Sequence, residues 1–213
     1  MRQRKVKNVE EKIALHQESL IEKGMEMKGK WKEVFGNSGD IFLELGCGKG
    51  QFIVSQSMKN RELNFIGAEG QPTIILRAME KAAVHELANL KFITGFVRDI
   101  KDYFEEGELS GVYLNFSDPW PKERHDKRRL TYRSYLEGYR WVVRPGGFLE
   151  FKTDNEGLFD FTLEQIGEMN LEVVETTRDL HHSNIPAKNI TTEYEDKFVA
   201  AGKSIHYVKV KLK

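Results

Sequence analysis

Residues Asp40–Gly50 read Asp-Ile-Phe-Leu-Glu-Leu-Gly-Cys-Gly-Lys-Gly, a short apolar run that leads directly into three alternating glycines. A short apolar run bounded by turn residues is typical of a buried strand. Glycines let the backbone turn tightly and come close to a ligand. Helical spacing follows from Gln51 to Met58. The stretch therefore predicts a strand, a glycine-rich turn and a helix in direct succession.

The alternation of strands and helices continues to the end of the chain. Further strands are predicted at 63–68, 90–94, 111–116 and 148–152, and helices at 72–88, 100–104, 132–143 and 158–169. Residues 171–177 and 205–212 alternate apolar and polar positions, as an antiparallel pair does. This order predicts an α/β, Rossmann-like fold, with a mostly parallel seven-stranded sheet, helices on both faces and an antiparallel C-terminal strand pair.

Composition predicts one domain preceded by a basic segment. The chain has 213 residues, 39% of them hydrophobic, which suffices for one substantial core. Residues 8–35 have helical spacing that Gly24 and Gly29 interrupt, and the first seven residues carry four Lys or Arg and no acid. We therefore expect a basic N-terminal extension and helix at 1–35 and a single domain at 36–213.

Two features of the composition bear on compartment and partners. No apolar run approaches the roughly 20 residues that cross a bilayer, so we expect no membrane partner. The single cysteine cannot form an internal disulfide, which fits a reducing cytosol and predicts a cytoplasmic protein.

Charge is distributed unevenly although the formal net charge is zero. Residues 117–133 contain six Lys or Arg and three acids. A basic stripe of this kind is typical of a nucleic-acid contact, and solvated surface charge is the alternative interpretation. The tract begins at the carboxyl end of the predicted fourth strand, where open α/β sheets bind their ligands, and this position favours the first interpretation.

The glycine-rich turn predicts a cofactor of a particular kind. Its spacing is G-x-G-x-G, not the G-x-G-x-x-G of dinucleotide sites. An acid before a glycine loop suits a ligand with an ammonium group, such as S-adenosylmethionine, whose cationic end Glu44 would attract directly or through water. Glu69 ends the next strand, where an acid can accept both ribose hydroxyls. The alternatives are an ordinary turn at 46–50 and an acid that precedes the helix at Pro72.

Asp118 is the candidate for the reacting site because it follows the fourth strand directly. A carboxylate beside an aromatic ring and a cluster of cations can hold the edge of a base while the cations hold the flanking phosphates. A turn carboxylate before Pro119 is the alternative for Asp118, and core packing is the alternative for Trp120.

Two other residue types are candidates for chemistry but lack the surroundings for it. Cys47 has no evident base beside it, so a small residue that fits the turn is favoured over a nucleophile. His181 and His182 are adjacent and point in different directions, and no further ligand follows at metal spacing. We therefore expect no metal site.

The tract Asp118–Leu130, Asp-Pro-Trp-Pro-Lys-Glu-Arg-His-Asp-Lys-Arg-Arg-Leu, resembles the signature of the bacterial tRNA (guanine-N7-)-methyltransferases, which modify guanine 46 of the variable loop. Residues 44–50, the pair Thr153-Asp154 and the segment Thr191–Glu195 match that family too. The similarity covers roughly residues 30–213. It implies a class I methyltransferase fold at 36–213 and methyl transfer from S-adenosylmethionine to N7 of that guanine.

The resemblance also implies roles for individual residues. Asp118 would be the active-site acid. The cofactor would be bound by Glu44, Gly46, Gly48, Gly50, Glu69, Phe96, Val97 and Asp118. The tRNA would be bound by Lys122, Arg124, His125, Arg128, Asp154, Thr191, Thr192, Glu193, Tyr194 and Glu195.

The chain departs from the family at Phe96, where an acidic or amide residue often binds the adenine amino group. Phe96 would stack on the adenine or wall it, or Asp99 would supply the lost polar contact. A methyltransferase acting on a small molecule or protein and a non-catalytic RNA-binding module remain open alternatives, and so does the choice between a monomer and a homodimer.

Overall fold

The computed structural model describes residues 6–213, and its strands form one sheet. The strands are β1 Leu20–Ile21, β2 Ile41–Leu45, β3 Asn64–Glu69, β4 Leu90–Thr94, β5 Leu109–Asn115, β6 Val143–Thr153, β7 Glu172–Thr177 and β8 His206–Lys211. Their order is β1-β4-β3-β2-β5-β6-β8-β7, parallel as far as β6, with β8 antiparallel to both of its neighbours. The predicted fold class is confirmed, and an eighth, two-residue edge strand extends the sheet.

Helices cover both faces of this sheet. They are α1 Val9–Ala14, α2 Trp31–Phe35, α3 Gln51–Lys59, α4 Pro72–Ala83, α5 Arg133–Val142, α6 Glu156–Glu168 and α7 Glu193–Ala200. Short 3₁₀ turns occur at Gly24–Met27, Ile100–Asp102, Glu123–Arg128 and Pro186–Asn189. Within residues 6–213 no helix combines the length and the apolar character that crossing a membrane requires.

The two cores follow from the alternation of side chains along the strands. Phe42 packs with α3 and α4 on one face, and its neighbour Leu43 packs with α5 and α6 on the other. The same alternation separates Tyr113 from Val112 on β5. Both faces of the central strands are buried, so these strands read as continuous apolar runs.

The predicted helix over residues 8–35 is wrong. That region contains α1, the edge strand β1, a 3₁₀ turn and α2. Leu20 pairs with Phe92 on β4, and Gly24 lies so close to Tyr103 that an added Cβ would stand 3.0 Å from its ring. Tertiary contacts therefore override helical spacing here. The division into 1–35 and 36–213 stays a prediction, and residues 1–5 lie outside the described residues.

Strand β2 lies between β3 and β5, and this arrangement defines the functional edge of the sheet. Leu45 pairs with Ala68 of β3 on one side and with Leu114 of β5 on the other. The turns that leave these three strands therefore start side by side at their carboxyl ends. Parallel α/β sheets bind their ligands at this edge, at the point where the strand order reverses.

Candidate active site

The glycine-rich turn after β2 is closed towards the protein and open towards solvent. Gly46, Gly48 and Gly50 have φ values of +76°, +58° and +80°, a region that glycine adopts without strain. A Cβ on Gly50 would stand 2.7 Å from the Cβ of Ala78, so α4 packs too closely for a side chain there. A Cβ on Gly46 or Gly48 would meet no described atom within 4 Å. The turn therefore leaves space for a ligand on its outer side.

Glu44 stands beneath this turn as a buried carboxylate with one free oxygen. Its side chain is 1% exposed, and its Oε1 accepts a hydrogen bond of 2.8 Å from Asn115 Nδ2. Its Oε2 is buried and has no hydrogen-bond partner within residues 6–213. Burial raises the pKa of Glu44 to about 8, and the bond from Asn115 opposes part of that rise. A buried acceptor without a partner is costly and typical of a ligand site.

Glu69, at the end of β3, connects the glycine turn to the rest of the edge. Its Oε2 accepts from the Gly48 backbone at 3.3 Å and its Oε1 accepts from the Gln71 backbone at 2.9 Å. Burial raises the pKa of Glu69, the backbone hydrogen bonds that it accepts lower it, and the charge of Asp118 raises it further. Glu69 thus lies directly before α4 and also borders the glycine turn, so its position fits both interpretations: an acid that precedes a helix and an acid that binds a ribose.

Phe96 forms an exposed aromatic wall next to Glu69. It is 73% exposed, and its ring lies across Gly70, where an added Cβ would stand 2.3 Å from a ring carbon. Val97 is half-buried and packs on the core. Asp99 Oδ1 accepts from the Lys101 backbone and so caps a 3₁₀ turn. Phe96 therefore offers a flat apolar surface at this edge, whereas one oxygen of Asp99 is engaged in capping the 3₁₀ turn.

The loop after β5 presents Asp118 to solvent between two residues in left-handed backbone conformation. Phe116 has φ +54° and Trp120 has φ +41°, which is uncommon for aromatic residues and indicates that the surroundings fix the loop. The Arg129 guanidinium donates to the carbonyl oxygens of Pro119 and Trp120, each at 3.1 Å. Arg129 belongs to the basic tract predicted to contact RNA, but two of its five donors are used inside the protein.

The basic tract itself forms a 3₁₀ turn whose cations face solvent. Lys122, Arg124 and Arg128 are exposed and lie next to the Asp118 loop. The Trp120 ring lies between the Arg128 guanidinium, 4.9 Å from its centroid, and the edge of His125, at 5.8 Å. Trp120 is only half-buried, so the alternative of core packing is wrong. The tract is thus a cationic surface that packs against the ring of Trp120.

Helix α7 and the segment before it lie across the same edge. Gln51 Nε2, on α3, donates to Thr191 Oγ1 at 3.3 Å and to Asp196 at 2.7 Å. Glu193 forms an ion pair of 2.6 Å with Lys81 on α4. The ring of Phe198 lies 5.7 Å from Phe116 at the end of β5. The segment therefore joins the cofactor-side helices to the Asp118 loop.

The structure gives different positions to the predicted tRNA residues of the C-terminal part. Tyr194 is 53% exposed and available to a ligand. Thr192 is buried and caps α7 by accepting from the Glu195 backbone at 3.0 Å. Asp154 is mostly buried and forms a 2.5 Å ion pair with Lys203. Glu195 is completely buried, and its carboxylate is bonded to other residues of the chain, so the expected direct contact with tRNA does not fit this arrangement.

Sequence reasoning missed Asn115 and Lys152, which hold Glu44 and Glu195 respectively. Both occur at the ends of apolar strands and belong to no motif, so only the pairing of β5 with β6 shows that they are neighbours.

Burial and the charge of Glu44 raise the pKa of Cys47 well above its usual value, which keeps it a thiol and fits a packing role.

Other features of the structure lie away from this edge. Among residues 6–213 no group of three or more His, Cys, Asp or Glu has the arrangement of a metal site. A cleft of about 500 Å³ lies at the opposite, amino end of the strands, beside Asp40 and Arg144. A second, of about 410 Å³, lies between α3 and strands β5, β6 and β8. Neither includes the glycine turn or Asp118.

Comparisons with known proteins point to one family. A family model described as "Putative methyltransferase" matches residues 38–208. The chain is 45% identical over 194 residues to the tRNA (guanine-N(7)-)-methyltransferase of Limosilactobacillus reuteri, which covers 91% of each chain. It is 44% identical over 198 residues to the enzyme of that name from Bacillus subtilis, covering 93% of this chain and 92% of the other.

Solved structures support the fold. An antibiotic-related methyltransferase has a TM-score of 0.61 at 14% identity and covers 85% of this chain and 92% of its own. A 30S ribosomal A1408 methyltransferase from an uncultured bacterium has a TM-score of 0.58 at 16% identity, covering 86% and 92%. The chain is therefore a methyltransferase and belongs to the family of bacterial tRNA (guanine-N7-)-methyltransferases.

Proposed function

We propose that this protein transfers a methyl group from S-adenosylmethionine to N7 of guanine 46 in the variable loop of tRNA. The observation that carries the proposal is the shared edge of the sheet. The glycine turn after β2, Glu69 at the end of β3 and Asp118 in the loop after β5 lie at neighbouring strand ends, and Glu69 accepts a hydrogen bond from the Gly48 backbone. A donor and a base bound at these strand ends would meet.

The residues after β2 and β3 fit the cofactor. The free oxygen of Glu44 is a buried acceptor that suits the ammonium group, and the open outer side of Gly46 and Gly48 leaves room for the chain that carries it. Glu69 would hold the ribose hydroxyls, and the exposed ring of Phe96 would cover the adenine. S-adenosylmethionine, when bound, supplies a methyl group on a positively charged sulfur.

Asp118 would act on the guanine. Guanine N7 has a lone pair in the ring plane and no proton, so the protein needs no general base to prepare the nucleophile. The ring gains positive charge as the methyl bond forms. A carboxylate that accepts hydrogen bonds from guanine N1 and N2 stabilises that charge. The hydrogen bonds from Arg129 to the carbonyl oxygens of Pro119 and Trp120 fix the loop that carries Asp118. Positioning of Asp118 against the guanine would therefore contribute to the rate.

The exposed cations of the basic tract would hold the tRNA backbone. Lys122, Arg124 and Arg128 face solvent on the side of the molecule that carries Asp118. Contacts of this kind release counterions, so tRNA binding should weaken steeply as salt is added. Tyr194 is the exposed member of the C-terminal segment that would reach the nucleoside.

The test is to map the methylated nucleotide. The protein is incubated with S-adenosylmethionine labelled in its methyl group and with an unmodified tRNA transcript, and the product is digested and analysed. We expect one 7-methylguanosine, at position 46, and no product from a transcript with adenine at that position. Label at another nucleotide, or label only in protein or small molecules, would refute the proposal.

A further inference from the structure

Lys152 is a buried cation that the proposed chemistry does not use. It lies on β6, paired in register with Asn115 of β5, whose amide holds Glu44. Its side chain is 2% exposed. Burial lowers the pKa of Lys152, and the nearby carboxylate of Glu195 opposes that change. An ammonium ion in this position is unfavourable unless each of its protons has an acceptor.

The acceptors of Lys152 all lie in one segment of the chain. Its Nζ donates to the carbonyl oxygens of Ala187 at 2.7 Å and Ile190 at 3.0 Å. It also donates to Glu195, 3.2 Å from Oε2 and 3.4 Å from Oε1. An ammonium group has three donors, and three residues of segment 187–195 receive them. The side chain thus attaches this segment to the central sheet.

Segment 187–195 also packs on the sheet through two apolar residues: Ile190 lies against the core that contains Phe52 and Tyr113, and Ala187 lies against the cluster of Leu180, Ile205 and Tyr207. Its residues form the end of a 3₁₀ turn, a connection and the first turn of α7, and the cap of α7 by Thr192 is local. His181 Nε2 lies 2.9 Å from Glu195 Oε1 and is the second partner of that carboxylate. Gln51 and Lys81 reach Thr191 and Glu193 from partly exposed positions. Lys152 therefore supplies the buried hydrogen bonds between this segment and the sheet, whereas the other side-chain bonds to the segment come from partly exposed residues.

A stability role alone does not account for a buried lysine. Replacing a buried ion pair with apolar residues of similar volume is often neutral or stabilising, whereas removing one partner alone is strongly destabilising. The ring of Phe52 lies 5.6 Å from Lys152 Nζ, so an apolar side chain would find apolar contacts there. What an apolar residue cannot do is bind the carbonyl oxygens of Ala187 and Ile190.

We propose that Lys152 is a positioning residue, which fixes segment 187–195 across the methyl-transfer site so that Thr191 and Tyr194 meet the substrate in one orientation. This inference rests on the proposed function. It differs from it in assigning a role to a residue that touches neither cofactor nor tRNA. Misplacing a substrate-binding segment by about 1 Å can cost on the order of 100-fold in rate.

The experiment compares Lys152→Met with Lys209→Met in the full chain. Lys209 is a matched control because it lies on β8 of the same sheet and lines the same cleft as Ala187 and Ile190, but its Nζ pairs with Glu150 at 2.9 Å and donates to neither carbonyl oxygen. In Lys152→Met we expect amide hydrogen exchange in 187–195 to accelerate about tenfold or more, and kcat on tRNA to fall about 10- to 100-fold. Affinity for S-adenosylmethionine should change far less, and Lys209→Met should match the wild type.

The double variant Lys152→Met with Glu195→Met separates positioning from stability. It removes both charges, so the melting temperature should return towards that of the wild type. Exchange in 187–195 should stay fast and kcat should stay low, because Ala187 and Ile190 still lack their donor. Recovery of wild-type exchange and kcat would overturn the proposal, and so would a Lys152→Met variant that behaves as the wild type does.

Failure of the proposed function would be recognisable in the same experiment. If the wild type does not methylate tRNA, the assigned substrate is wrong, and the exchange measurement still decides whether Lys152 holds the segment. If the wild type is active, the kcat of the variants decides whether that attachment matters for the reaction.

Discussion

Glu44 and Lys152 are both buried titratable residues near the functional edge, and they differ in how their polar atoms are satisfied. Every donor of Lys152 has an acceptor within the chain. Glu44 has a partner for one oxygen and none for the other among the described residues. The free oxygen of Glu44 faces the open glycine turn and suits a ligand, whereas Lys152 has all of its partners within the chain and suits the attachment of a segment. Replacing Glu44 should therefore weaken a ligand, and replacing Lys152 should release a segment.

The largest effect is expected at Asp118, the exposed carboxylate that would stabilise the charged guanine. Asp118→Ala should lower kcat on tRNA about 100- to 1,000-fold, the range seen when a transition-state partner is removed. Calorimetric affinity for S-adenosylmethionine should be largely retained. Glu123→Ala, at another exposed acid of the same tract, is the control and should keep near-normal turnover. Normal turnover in Asp118→Ala would remove this residue from the mechanism.

Glu44→Gln should reduce affinity for S-adenosylmethionine about 10- to 100-fold, because a charge-assisted hydrogen bond is lost. The amide keeps the shape of the side chain, so the fold should survive.

The same variant tests how Glu44 affects stability at different pH. The pKa of Glu44 in the folded protein is about 8 against an ordinary 4.5, so the wild type loses stability as pH rises from about 4.5 to 8. Thermal unfolding without cofactor should show a smaller loss in Glu44→Gln over that interval.

The raised pKa of Glu44 also predicts how cofactor binding depends on pH. At pH 6 the carboxyl is protonated in the free protein, and binding a cation requires it to ionise. Affinity should therefore rise about tenfold between pH 6 and pH 7, with release of one proton. Calorimetry in buffers of different ionisation enthalpy measures that proton. A pH-independent affinity in the wild type would show that Glu44 does not face the cofactor.

The smallest effect is expected within the basic tract, where two neighbouring arginines should behave differently. Arg128 is exposed, so Arg128→Ala should weaken tRNA binding. It should also lower the slope of log affinity against log salt concentration by about one. Arg129 donates to the Asp118 loop, so Arg129→Ala should lower kcat more than it weakens binding. Equal effects of both variants on binding, with unchanged kcat, would contradict the different positions of these side chains.

The glycine turn, Glu69 and the Asp118 loop were predictable because local spacing defines them. A strand followed by glycines, and an acid at each strand end, can be read from a few consecutive residues. The topology of a parallel sheet then brings these ends together. The edge strand at Leu20 and the helix α7 were not predictable in this way, since packing against distant residues determines them.

The partners of the buried charges were also beyond the sequence. Asn115 and Lys152 resemble ordinary ends of apolar strands, and their function depends on side chains 71 and 43 residues away in the chain. The segment Thr191–Glu195 was identified as part of the site, but the burial of Glu195 became visible only once α7 had been placed against β6.

The central claim is that the strand ends carrying Gly48 and Asp118 together form the site that methylates guanine N7. It is tested most directly with a tRNA that contains 7-deazaguanine at position 46, which keeps the shape and pairing edge of guanine but has carbon in place of N7. We predict that this tRNA binds with near-normal affinity and accepts no methyl group, whereas the matched guanine-46 tRNA is methylated fully. Methyl incorporation into the 7-deaza tRNA at a rate close to that of the guanine-46 tRNA would contradict the account.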